Sequence, residues 1–172
     1  MKKEDAMSIR YAVCALIMST CVAFAANLGK PNGDVILTVS GAISETNSGS
    51  TAQFDRSMLD ALGTLEIETS TIWTEGVQKF EGVEIATLLR ALGVTSGTLR
   101  ATAINDYSIE IPVSDAVEGG PILAFRRDGK EMSLRDKGPL WVIYPYDDNA
   151  DYQTEVVYSR SIWQLDRIEV VN

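Results

Sequence analysis

Phe80-Glu81-Gly82-Val83-Glu84-Ile85-Ala86-Thr87-Leu88-Leu89-Arg90-Ala91-Leu92-Gly93 is the stretch on which the fold turns. Ile85, Leu88, Leu89 and Leu92 recur at the spacing that lays apolar side chains along one helical face, and Gly93 supplies a stop. Phe80 to Val83 heads this helix. On either side the pattern becomes β. Residues 99–104 and 107–111 form strands, with Pro112 closing the second. Residues 122–125 and 132–134 flank Asp128-Gly129, a strong short hairpin signal. Residues 140–144, Leu-Trp-Val-Ile-Tyr, are wholly apolar, as a central strand would be. Near the end, Trp163 and Leu165 share one parity while Ile168 and Val170 share the other, which places a bulge near Asp166-Arg167.

Upstream, residues 35–39 form a strand, residues 42–52 a small polar loop, and residues 54–62 a short helix carrying Phe54, Met58 and Leu62 on one face. Residues 65–73 begin as a strand and run into a polar loop at Glu68-Thr69-Ser70-Thr71. There is no internal repeat and no linker. The fold class is α+β: a single compact, β-rich mixed domain.

The first residues carry a different signal. Lys2, Lys3 and Arg10 precede an uncharged apolar run over 11–22, and Ala23-Phe24-Ala25 is the small-x-small site of a signal peptidase. The expectation is a signal peptide over 1–25, a domain over 26–172, and a periplasmic or secreted destination. The apolar run is short for a membrane span, so none is expected after cleavage.

Composition excludes much chemistry. Histidine is absent, and both cysteines, Cys14 and Cys21, fall in the leader. Ser-His-Asp and Cys-His catalysis both require an imidazole base. Zinc sites draw on Cys or His, and a disulfide needs two cysteines in the domain itself. The net charge of −9 and the lack of a basic cluster exclude nucleic acid as a partner. No catalytic residue and no metal ligand is assigned.

Asp147-Asp148-Asn149-Ala150-Asp151 is the densest acidic run and is read as a solvated loop, since the turn glycine and distal Glu of a calcium loop are missing. Asp106 and Glu110 lie about 13 Å apart along a strand, beyond the reach of a catalytic carboxylate pair. Arg126-Arg127, with Lys130 across the hairpin, forms a tight basic group. It is either a receptor for a phosphate or carboxylate, or an ordinary solvated strand end. Trp73, Trp141, Tyr144, Tyr146, Tyr152, Tyr158 and Trp163 crowd one half of the chain; most belong in the core and a few could rim a pocket.

Taken in order, Phe80-Glu81-Gly82-Val83, Asn105-Asp106-Tyr107, Leu123-Ala124-Phe125 before Asp128-Gly129-Lys130, Gly138-Pro139-Leu140-Trp141, Tyr144-Pro145 and Ser161-Ile162-Trp163-Gln164-Leu165 make a set. The set resembles the molybdopterin-binding oxidoreductase domain of sulfite oxidases, and most of all its short exported bacterial members. The resemblance implies a β-rich fold with a cofactor groove. It implies that Ser70 and Thr71 stand where enzymes of the family carry a metal-binding cysteine, and that the Asn105, Asp106, Tyr107 turn borders the groove. The same turn is also ordinary Asx chemistry. With Arg126 and Arg127, these are the candidate cofactor- or ligand-binding residues.

A hydroxyl cannot replace a soft thiolate at molybdenum. The expected function is therefore an exported binding or interaction module without molybdenum catalysis, taking a small anionic ligand or a protein partner. The alternative is a periplasmic molybdopterin-dependent oxidoreductase.

Overall fold

The computed structural model describes residues 28–172. The expected signal peptide and its cleavage site lie outside the described residues. In chain order the elements are β1 (Leu37–Gly41), β2 (Ala52–Phe54), α1 (Arg56–Ala61), β3 (Leu65–Ser70), β4 (Val77–Glu84), α2 (Ile85–Ala91), β5 (Thr98–Ala103), β6 (Ser108–Pro112), β7 (Ile122–Arg127), β8 (Lys130–Glu131), β9 (Trp141–Ile143), α3 (Glu155–Arg160) and β10 (Leu165–Val171). They build two sheets over one apolar core. The first runs β2-β1-β10-β5-β6, with β1 parallel to β10 and its other pairings antiparallel. The second runs β3-β4-β7-β8, and β9 pairs with the other end of the β7 edge that β8 occupies.

The helix over Ile85–Ala91 forms as its periodicity requires, burying Ile85, Leu88 and Leu89, and Gly93 beyond it takes φ +71°. Phe80 to Val83 does not head that helix. It lies within β4, which the sequence pattern did not reveal. Gly82 explains the strand's position: a Cβ there would lie 2.1 Å from the Leu123 carbonyl oxygen, so only glycine lets β4 close on β7 at the register shift beside Glu81.

Other boundaries move for local reasons. Phe54 belongs to β2 opposite Leu37, because Asp55 caps α1 by accepting from Met58 N at 2.9 Å. The same carboxylate accepts from the backbone N–H groups of Asn32 and Gly33, tying the lead-in segment to the helix. The Asp128-Gly129 hairpin is present, with both residues at positive φ, but its second strand is Lys130–Glu131. Met132 to Leu134 is not a strand: Met132 turns into the core, and a 3₁₀ turn follows over Leu134–Asp136.

Residues 140–144 are fully buried, yet β9 is not central, since β7 is its one partner strand. The chain over 161–165 covers its outer side, with Val142 N donating to Ile162 O and Leu165 N donating to Leu140 O. The bulge falls where the parity switch put it, between Leu165 and Arg167. Residues 161–165 thus pass from the second sheet into the first, and a pocket opens along this crossing.

Candidate functional site

A cavity of about 430 Å³ lies beside the crossing, with Trp73, Asn105, Tyr107, Tyr158, Trp163 and Gln164 prominent in its wall. Four separate segments supply them: the β3–β4 loop, the β5–β6 turn, α3 and the β9–β10 link. Each side chain is held by local chemistry. Thr71 Oγ1 accepts from Trp73 N at 3.1 Å and bonds Thr74 Oγ1 at 2.8 Å, a turn that aims Trp73 inward. The Trp73 ring then meets Trp141, Tyr158 and Trp163 edge-on, at centroid separations of 5.8, 5.9 and 5.7 Å. Asn105 Oδ1 accepts from Tyr107 N at 3.2 Å, and Asp106 takes φ +66°, so the tight turn itself presents Asn105 and Tyr107 to the cavity.

Behind this wall the polar groups are already paired. Trp141 Nε1 donates to Ser161 O, and Tyr146 and Ser161 share a hydroxyl–hydroxyl bond. Burial pushes the Tyr146 phenol up to about 12. Tyr144 Oη and Arg160 both donate to Asp115 Oδ2 at 2.8 Å; burial first, and then the Asp115 charge, raise the Tyr144 phenol well above the usual range. At the front the situation is reversed. Among the described residues, the indole N–H groups of Trp73 and Trp163 and the hydroxyls of Tyr107 and Tyr158 have no protein partner. None of these atoms is sealed in the interior, where Arg56 Nε is the orphaned buried side-chain atom among the described residues.

The candidate residues separate accordingly. Asn105 and Tyr107 line the cavity. Asp106 points elsewhere and pairs with Arg167 at 2.8 Å. Ser70 faces Asp147: its N–H and its hydroxyl each donate to that carboxylate at 2.6 Å, and these bonds hold the Asp147 carboxyl below its usual range. Thr71 shapes the Trp73 turn. Arg126 is held between Asp60 at 3.4 Å and Glu81 at 3.3 Å and lies over the Phe125 ring. Arg127, one residue on, projects to the opposite face of β7. The acidic run at Asp147 clasps β3 through its first member, and among the described residues no cluster of carboxylates could hold a metal.

Lys137, which sequence reasoning did not single out, packs against the cavity wall. Its ammonium lies 4.2 Å from the Trp163 ring centroid and 5.4 Å from that of Trp141. Its carbonyl accepts from Gln164 N at 3.0 Å, fixing it beside the cavity wall. Burial, and then the Arg127 charge, lower its pKa. A lone lysine at the end of a 3₁₀ turn carries no sequence signal.

A scan against protein-family models finds no match, and neither does a search of curated proteins. Among solved structures, the chain is similar to the sulfane dehydrogenase SoxCD from Paracoccus pantotrophus. The TM-score is 0.54 at 15% identity, over 78% of this chain and 37% of that one. The chain therefore spans well under half the length of that protein. The likeness establishes the fold, a β-rich mixed domain of the sulfite oxidase-like type, similar to that of a molybdopterin oxidoreductase.

The resemblance to molybdopterin enzymes calls for a thiolate at the end of β3. Thr69 is fully buried there, its hydroxyl donating to Ser70 O and accepting from Asp147 N. Ser70 and Thr71 commit their hydroxyls as described. Hard, already bonded hydroxyls do not make a molybdenum ligand. The residues present do not fit that cofactor.

Proposed function

We propose that this protein is an exported small-molecule binding module on a sulfite oxidase-like fold, without molybdenum catalysis. The observation that carries the reading is the cavity of about 430 Å³ walled by Trp73, Tyr107, Tyr158 and Trp163. Aromatic walls with a few convergent polar groups are the usual make-up of a ligand pocket, and the volume suits one small organic molecule. The apolar faces of these half-exposed rings gain by being covered, and their N–H and O–H groups, without protein partners, are placed to exchange water for a ligand's acceptors. The paired groups behind them keep the wall rigid, which limits the ordering cost on binding.

The test is metal analysis and mass spectrometry of the protein purified from the cells that make it, alongside a Trp163→Ala variant. A small molecule that co-purifies with the parent and is lost from the variant, with molybdenum well below one equivalent, is the expected result. Molybdenum near one equivalent would overturn the reading.

A further inference from the structure

The cavity wall has a chemical bias. Its unpaired groups are mostly donors: two indole N–H groups, two phenol hydroxyls and the Asn105 amide nitrogen, whose Oδ1 is already engaged by Tyr107 N. No Asp or Glu lines it. Asp106 of the bordering turn is paired with Arg167, and the ammonium of Lys137 lies against the Trp163 ring of the wall. Lys137 and Arg127 take part in none of the ion pairs formed among the described residues, although the chain is strongly acidic overall. Lys137 also holds left-handed backbone at φ +76°, an uncommon conformation for a lysine, with its amine against Trp163.

An aromatic cage can also hold a cationic ligand. Here Lys137 already occupies the Trp163 ring, and a second cation would be placed against it without a carboxylate to screen the two. A neutral ligand would leave Lys137 and Arg127 repelling each other. An anion relieves that repulsion and satisfies the donors.

We infer that the pocket recognises a small organic acid. Its flat apolar body rests on Trp73, Tyr158 and Trp163, and its carboxylate is drawn to Lys137 with Arg127 beyond it. This rests on the reading of the cavity as a ligand site and adds the ligand's class.

Of the chain's three tryptophans, Trp73 and Trp163 line the cavity and Trp141 packs edge-on against both, so tryptophan emission excited at the red edge reports the site. Phenylacetate, phenylacetamide and phenethylamine share one ring, differ in charge, and do not absorb there. Each is titrated into the parent protein and into Lys137→Gln and Lys137→Arg variants, with calorimetry as a second readout.

The expected result is that phenylacetate binds at least about tenfold more tightly than the amide, the size of one charge-assisted hydrogen bond. The amine should bind most weakly. Lys137→Gln should bring the acid down to the level of the amide and leave the amide unchanged, while Lys137→Arg retains most of the preference. Equal binding of acid and amide, tighter binding of the amine, or no binding of any probe would overturn the assignment of an acid. The small-molecule reading itself stands or falls on the co-purified ligand, so the two failures are distinguishable.

Discussion

Replacing Arg126 with alanine should cost stability and leave the pocket untouched. The guanidinium reaches Asp60 and Glu81 at 3.4 and 3.3 Å and lies 5.3 Å from the Phe125 ring centroid. All three charged side chains are partly exposed, so each ion pair is worth roughly 0.5–1 kcal/mol and the ring contact about 0.5 kcal/mol. Their loss also leaves Asp60 and Glu81 without the cation that both face. The sum is roughly 1.5–2.5 kcal/mol, a fall in melting temperature of roughly 3–10 °C for a chain of this size. Arg126 is absent from the cavity wall, so phenylacetate affinity should hold within twofold. Urea denaturation with fitted slopes, followed by the fluorescence titration, gives both numbers on one sample. Unchanged stability together with a large loss of affinity would refute this, and would restore Arg126 to the anion-receiving role considered from sequence.

Gly82→Ala should destabilise by about 2–3 kcal/mol, because its methyl group would meet the Leu123 carbonyl and force β4 away from β7; an unchanged urea midpoint would show that the strands part without cost. Alkaline titration should expose the buried phenols. Tyr144 and Tyr146 keep their protons in the folded state above the ordinary value, so the stability they confer is complete below pH about 10 and falls as pH rises through the Tyr146 value of about 12. Tyr146→Phe should flatten the loss of urea stability across that window by up to one proton's worth of slope, and an identical slope in parent and variant would contradict the assignment.

The parts of the fold that sequence disclosed are those where one local rule acts without rivals. Ile85 to Leu92 needed only helical periodicity, Asp128-Gly129 only a turn that tolerates positive φ at both positions, and the Leu165 to Arg167 bulge only a change of parity. The parts that stayed hidden depend on partners far along the chain. Val77 to Glu84 lacks clean alternation because it packs on both sides of a register shift, and Gly82 carries meaning only against Leu123. Trp141 to Ile143 looks central because it is buried, but its cover is a loop rather than a strand.

The site follows the same division. Asn105 and Tyr107 were singled out through the resemblance, as members of a turn bordering a groove, and the structure sets both on the cavity wall. Trp73, Tyr158 and Trp163 were visible as aromatics, yet nothing local separates an aromatic that closes a core from one that walls a pocket. Trp141 and Trp163 pair across a single bridge, one with its indole N–H bonded to Ser161 O and no exposure, the other 37% exposed with its N–H free. Trp141 belongs to β9, which the 161–165 crossing covers, whereas Trp163 belongs to the crossing itself. That crossing exists because the chain leaves the second sheet for the first at this point, so the topology that conceals the pocket from sequence is also what creates it. Trp73 belongs to the same account: the Thr71 turn that closes the end of β3 is also the device that sets Trp73 in the wall. The bonded hydroxyls at the end of β3 and the placement of Trp73 in the cavity wall are thus two consequences of one short segment, Thr69 to Trp73.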